Sequence, residues 1–463
     1  MPDSVVVYRK RRNIELLMMV LAAALGLACY TVLYLNLTGA VPDNLPVVAA
    51  IWLAVPVVLN IIVRWRLPYA DPVFLPVVIA LHGFGLVMIH RIDLINEPAT
   101  HDAEKQLLWA VLGVALFIAV LVFIRDHRPL QGFTYLLFLA GMGLMLLPLL
   151  PFIGSEIYGA RIWIQVGPFS FQPAEVAKVV LTLAFAAYLN EKRDVLALAG
   201  KRILGIDLPR ARDLGPILLM WAASLVVLVF QKDLGTSLLF FGLFVVMLYV
   251  STERPGWAIL GALLFIGGAL AVYFMAQAGV DQFNHITRRF SSWLDPFSDF
   301  DGNRQVINAQ FGLAWGGLLG AGLGMGRPGL TTFAKSDMIA AAIGEELGII
   351  GLMAVIVLYG VIVARGLRTA LASKDDFGKL LAAGLSFTFA LQVFIIVGGV
   401  TRLLPLTGLT TPFMSQGGSS LIANWVIVAL LMVISHHARK PVAVASSADL
   451  AGDTTQIVSR AAS

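Results

Sequence analysis

The sequence predicts an all-α polytopic membrane protein: a helical bundle of about twelve transmembrane spans, with one long outer loop between the ninth and tenth. Three observations carry this. The 463 residues are 59% hydrophobic and 13% charged, against about 25% charged in soluble domains, and mean hydropathy is +0.85. Apolar runs near the roughly 20 residues that cross a bilayer recur along almost the whole chain. The cations between those runs fall mainly in alternate loops, as the positive-inside rule requires.

The elements follow in chain order. The start, YRKRRNIELLMMVLAAALGLACYTVLYL, joins a basic patch to a long apolar run. A signal peptide has an apolar region of about 7–15 residues and a small-residue cleavage site. This run is longer and lacks such a site, so it reads as a retained first span. Further spans are expected near 45–63, 72–90, 107–124, 133–153, 174–190, 213–231, 236–251, 257–277, 338–364, 379–401 and 418–436, after the first at 15–36. With the N-terminus in the cytoplasm, inner loops hold Arg64 and Arg66, Arg125 and Arg128, the basic stretch 191–212, Arg254, and Arg365 to Lys379. The short outer loops hold few cations. The outer segment 278–337 is too long for a simple connection and too interrupted by glycine to span. It reads as an ordered, re-entrant cap. Residues 1–70 form a two-helix extension, 71–440 the core, and 441–463 a polar cytoplasmic tail expected to be disordered.

Composition excludes several classes. Cys29 is the single cysteine, so no disulfide framework or cysteine zinc site forms within one chain. There is no Walker loop or HExxH, and GAGLGMG (320–326) is not a dinucleotide fingerprint. His436 and His437 end the last span and read as interfacial rather than as metal ligands. The formal charge of +5 sits in the loops, and no nucleic-acid partner is expected.

Polar groups cluster towards the outer side. Arg161 lies in GARIWIQVGPFSFQPAEVAK. Glu175 and Lys178 share one helix face at i,i+3 spacing, where a local ion pair would neutralise both. Lys232 and Asp233 occupy a tight turn in QKDLGTS, where Asp233 could cap the next helix. The cap contributes Arg288, Arg289, Arg304, Arg327 and Lys335. Asp337 in KSDMIAAAIGEELG precedes an apolar run, as a helix-start acid would. Glu345 and Glu346 lie two turns deeper and point about 100° apart. Carboxylates at membrane depth are costly, so at least one needs a polar cavity or a cation from another helix. Together these residues describe an outer-facing chamber. Its cations suit a phosphate-bearing substrate, a carboxylate among them suits a general base, and its walls suit a lipid tail.

Five segments resemble the SEDS family (shape, elongation, division and sporulation; RodA, FtsW and SpoVE). They are GARIWIQVGPFSFQPAEVAK (159–178), QKDLGTS (231–237), WLDPFSDFDGNRQVINAQFGLAWGGLLGAGLGMG (293–326), SDMIAAAIGEELGIIG (336–351) and LLPLTGLTTPFMSQGGSS (403–420). They stand in the family's order and cover roughly residues 75 to 440. The resemblance implies a peptidoglycan glycosyltransferase that polymerises lipid II outside the cytoplasmic membrane and works with a class B penicillin-binding protein. The family core has ten spans. The two extra N-terminal spans resemble actinobacterial elongation-type members, which favours a role in cell elongation and shape over division.

The family's essential aspartate, in its TDFIFA segment, maps onto Asp337. It is expected to act as general base on the acceptor sugar's 4-hydroxyl, kept ionised by a pKa lowered at the helix start. Arg161, Lys178, Arg304 and Lys335 are expected to offset the charge of the undecaprenyl diphosphate leaving group. Glu175, Lys232, Asp233, Ser415 and Ser419 complete the expected substrate-binding set, and Glu345 and Glu346 are expected to support it. A divalent cation (Mg or Mn) could share the charge, but the sequence shows no dedicated cage. Departures from the family pattern are KSDMIAA for HTDFIFA, QKDLGT for QPDLGT, and Gln416 for the tyrosine of SYGGSS. Leu406 stands where some members have lysine. The competing classes are a lipid II flippase, a division-type polymerase and a scaffold that only recruits the transpeptidase. A long cap on one face favours chemistry there over alternating access.

Overall fold

The computed structural model describes residues 9–95, 100–157, 160–167, 169–196, 202–203, 206–207, 222, 230–278 and 284–441. The expected span at 213–231, most of the basic loop 191–212 and nearly all of the tail lie outside these residues.

The N-terminal pair is α1 (Arg12–Thr38) and α2 (Leu45–Arg66). α1 packs on both α2 and α3 (Phe74–Ile95), and Trp52 of α2 lies against a glycine from each of the other two helices. A Cβ on Gly83 would stand 2.9 Å from the Trp52 ring, and one on Gly26 3.3 Å from it. Asn36 donates 2.7 Å to the Leu323 carbonyl, joining α1 to the distant cap. Their other faces expose Leu17, Leu21, Leu25, Ile51 and Ile61. Apolar surface on this scale marks contact with lipid.

The chain continues through α4 (Asp102–Phe123) and α5 (Thr134–Leu146), the latter flanked by 3₁₀ turns at Arg128–Phe133 and Leu147–Leu149. Where only an outer loop was expected, β1 (Gly154–Ile157), β2 (Ala160–Val166) and β3 (Phe169–Phe171) form a small antiparallel sheet in that order. Ile162, Trp163 and Ile164 have the branched and aromatic side chains that suit strands. The sheet leads into α6 (Pro173–Leu196), opened by a proline that needs no amide partner there. Next come α7 (Leu234–Thr252) and α8 (Pro255–Gln277), then the cap helices α9 (Asn284–Leu294) and α10 (Arg304–Gly316). Three long helices finish the bundle: α11 (Ile339–Ala372), α12 (Asp376–Val400) and α13 (Gly418–Arg439).

Among the described residues, ten helical segments are long and apolar enough to cross a bilayer: α1 to α4, Arg128–Leu149, α7, α8, α11, α12 and α13. α6 has the length of a span and carries an ion pair inside it. The protein is a mostly helical polytopic membrane bundle with a small sheet on its loops. α3, α12 and α13 form its centre, with Leu75, Met88, Leu381, Ile395, Val428 and Leu431 fully buried.

The apolar run at 338–364 reads as one uninterrupted span, but α11 is broken at Gly348, with φ 68° and ψ −175°. The break is filled by the glycine-rich run after α10. The amides of Ala321 and Gly322 donate 2.9 Å each to the carbonyls of Glu345 and Glu346, and the Ile349 amide donates 2.9 Å to Gly317. Irregular backbone at membrane depth survives only where protein satisfies its polar groups, and this clasp does so. Side chains would not fit: a Cβ on Gly316 would sit 2.1 Å from the Gly344 carbonyl oxygen, and one on Gly320 2.3 Å from that of Glu346.

Candidate functional site

Asp337 lies two residues before α11, half-buried. Met338 holds the N-cap position and makes no side-chain cap. Asp337 accepts from Gln305 Nε2 at 3.1 Å and from Ser336 Oγ at 3.3 Å. Arg289, from α9, is the cation that acts on it electrostatically. Burial dominates: loss of water pushes the carboxyl up to about 6, against hydrogen bonds and Arg289 that pull it down. The expectation of a lowered pKa is therefore corrected. The carboxylate does not cap the helix, and desolvation outweighs every favourable contact.

Arg289 also faces Asp233 and donates 2.9 Å to the Leu406 carbonyl. It thus links two acids that are 104 positions apart in sequence. Asp233 caps α7, accepting 3.0 Å from the Thr236 amide and 2.6 Å from its hydroxyl, with Gln172 Nε2 at 3.5 Å. Burial raises its pKa as well. Arg289 was expected only as one of several cap cations, and Gln305 was not singled out. The signal available was their place in the cap on short helices, but only the folded chain brings them to Asp337.

Two lysines expected to meet substrate are buried in ion pairs. Lys178, 1% exposed, contacts Glu175 at 2.5 Å and Gln392 Oε1 at 2.9 Å. Gln392 in turn donates 2.8 Å to Thr410, whose hydroxyl reaches Glu175 at 3.4 Å. A charge held inside a span by a carboxylate is not free for a phosphate. Lys335 is bound by Asp93, Thr100 and Asp102, the last at 2.9 Å. Its ammonium is paired with these two acids rather than with Asp337. Of the other cations in the expected substrate-binding set, Arg304 and Lys232 are exposed, and Arg161 is half-buried with a 3.3 Å bond to the Leu150 carbonyl.

The two serines bind backbone. Ser415 Oγ donates 2.5 Å to the Ser336 carbonyl and accepts 2.8 Å from the Thr411 amide. The Gln416 amide donates 2.7 Å to the Lys335 carbonyl. Ser419 Oγ accepts 3.0 Å from the Gln172 amide. The 411–419 turn therefore clamps the segment bearing Asp337 and the start of α6, rather than presenting hydroxyls outward.

Glu345 and Glu346 hold the clasp. Glu345 accepts 2.5 Å from the Arg327 amide. Glu346, with no exposed surface, accepts 2.9 Å from the Gly324 amide and pairs with Arg91 at 3.0 Å. Arg91 also donates to the Gly324 and Gly326 carbonyls at 2.9 and 3.0 Å. Removing one partner of a buried pair leaves the other charge uncompensated. Arg91→Ala is expected to lower stability by about 3–5 kcal/mol, read as a fall in Tm of the detergent-purified protein. Arg91→Ala combined with Glu346→Gln is expected to lose less than the two single losses added.

The fold and site together define an integral membrane protein with a desolvated carboxylate at one end of its bundle, under a cap clasped into a broken helix. The FtsW/RodA/SpoVE family profile, described as "Cell cycle protein", matches residues 72–440, and the chain belongs to that family. It is 48% identical over 437 residues to the peptidoglycan glycosyltransferase RodA of Mycobacterium tuberculosis, covering 93% of this chain and 92% of that one. It is 31% identical to the stage V sporulation protein E of Bacillus subtilis, covering 80% and 98%. Among solved structures it resembles a chain of a peptidoglycan synthase complex that coordinates polymerization and crosslinking, with TM-score 0.64 and 27% identity over 80% of this chain and 99% of that one. It also resembles the rod shape determining protein RodA of Thermus thermophilus, with TM-score 0.56 and 26% identity over 80% and 98%.

Proposed function

We propose that this protein polymerises lipid II into glycan strands on the outer face of the cytoplasmic membrane, for cell elongation and shape, with a class B penicillin-binding protein as crosslinking partner. The single observation that carries the reading is Asp337: a half-buried carboxylate with its pKa near 6, oriented by Gln305 and facing Arg289. A general base works best when its pKa lies near the operating pH. Family membership, and relatives named peptidoglycan glycosyltransferase, supply the substrate class. The distribution of loop cations supports cytoplasmic termini and an outer site.

In this reading the acceptor sugar's 4-hydroxyl oxygen attacks the anomeric carbon of the donor glycan. The bond from that carbon to the diphosphate oxygen breaks, its electron pair leaves with undecaprenyl diphosphate, and the hydroxyl proton passes to Asp337. Of the cations expected to offset the leaving diphosphate, Arg304 and Arg161 are the two not buried in ion pairs. Among the described residues no three ligating side chains gather at Asp337. A Mg or Mn ion sharing the charge would be held mainly by the diphosphate oxygens and water rather than by a protein cage.

The test is an assay of the purified protein with labelled lipid II and its partner, scoring glycan chains against flipped monomer. Chains support the reading. Flipped monomer without chains makes it a transporter. The pH profile adds a second check. The base is lost as pH falls through its pKa, so kcat/KM should drop tenfold per unit below an apparent pKa of about 6. Arg289→Gln removes a charge that favours ionised Asp337, and should move that acidic limb to higher pH.

A further inference from the structure

A second cluster of chemistry-bearing side chains lies at the end of the bundle remote from Asp337. α4, α11 and α13 all begin near the site, at Asp102 beside Lys335, at Ile339 and at Gly418. A 22-residue helix runs about 33 Å. Their far ends deliver the loop bearing Asp126 and His127, the α12 cap Asp375, and His437.

His127 has no exposed surface. Its ring stacks on Phe377 at 6.2 Å, and its Nε2 lies 3.1 Å from both oxygens of Asp375. A Cβ on Gly378 would stand 2.5 Å from that nitrogen, so glycine gives the ring its room. Asp375 accepts, so in the neutral imidazole, the form that binds a metal, Nε2 carries the proton and Nδ1 keeps a lone pair. That buried Nδ1 makes no hydrogen bond and lies 3.6 Å from Asp126 Oδ1. The His437 ring stands 5.6 Å away at 72°. Its Nδ1 lies 3.0 Å from the Val433 carbonyl, which can only accept, so Nε2 carries the second lone pair. One donor atom each from Asp126, His127 and His437 lies within 4.8 Å of the others.

We propose that Asp126, His127 and His437 form a site for a transition-metal dication of the zinc type, with Asp375 orienting His127 from behind. A carboxylate on the far nitrogen of a ligating imidazole fixes its tautomer and raises its basicity. Two imidazoles and one carboxylate suit zinc better than magnesium or calcium, which take oxygen. Three protein ligands leave a fourth position for water. Donor separations in tetrahedral zinc are about 3.3 Å, which modest side-chain rotation reaches from this arrangement. The bound ion would tie the loop after α4 to the end of the last span.

The test uses the full-length protein in detergent, stripped with chelator, dialysed against Zn²⁺ and measured by elemental analysis and thermal unfolding. The wild type is expected to retain one equivalent and to gain Tm with zinc. His437→Gln and Asp126→Asn, both at half-buried positions, should lose the ion and the gain. Asp375→Asn should weaken binding by about 10–100-fold, and Asp337→Asn should bind as the wild type. Zinc X-ray absorption of the loaded wild type reads the ligands even where a variant does not fold, and two imidazoles are expected. A wild type that retains no zinc, a His437→Gln protein that retains it fully, or an all-oxygen shell would each overturn the site.

Discussion

Asp337→Asn is expected to reduce polymerisation of lipid II by about 10²–10⁴-fold, with expression, partner binding and folding intact. Asparagine keeps the size and a carbonyl acceptor for Gln305 Nε2, and its amide nitrogen can donate to Ser336 Oγ in place of accepting from it, but it cannot take the hydroxyl proton. The direction of the pKa shift separates catalysis from structure. A carboxyl whose folded pKa is raised is most favourable to folding when protonated. That advantage is lost as pH rises from about 4 through about 6. Near neutral pH the ionised Asp337 therefore burdens the fold, and asparagine should leave Tm unchanged or higher. A structural carboxylate would show the reverse: lower Tm with activity largely kept. Activity and unfolding measured on one preparation decide between them.

Gly348→Ala is expected to prevent assembly of the cap and to abolish both activity and monodisperse protein. The residue combines φ 68° with ψ −175°, a region that is essentially glycine's alone and costs other residues about 1–3 kcal/mol. A Cβ there would also stand 2.4 Å from the Gly320 nitrogen and the Leu318 oxygen. Both are backbone atoms and cannot rotate away, so the clasp that seats Glu345 and Glu346 must open. Gly360→Ala, in the same helix with nothing within 4 Å of its Cβ, is the control and should fold normally. Yield, size-exclusion profile and Tm compare the two. If Gly348→Ala matches Gly360→Ala, the break does not hold the cap.

Much of this was legible along the chain because the bilayer imposes a simple rule. Segments that cross must be long and apolar, and α1, α2, α4 and α12 stand where such runs predict them. The Glu175–Lys178 pair was readable too, since i,i+3 neighbours on a helix meet whatever surrounds them. The break in α11 was not. Its residues are as apolar as any span, and what stops the helix is a glycine loop from before the cap's end. The small sheet at 154–171 was missed because its strands of four, seven and three residues are too short to show a period.

The membrane bundle, the family and Asp337 as the acid to watch can all be read along the chain, because composition, length and motif are local properties. What surrounds that acid is set only by folding. Lys335 stands two residues away yet binds Asp93 and Asp102, more than 230 positions distant. Arg289 and Gln305 come from other helices, and burial turns the expected fall in pKa into a rise. Charge pairing and desolvation depend on distance through space, which spacing along a chain does not record.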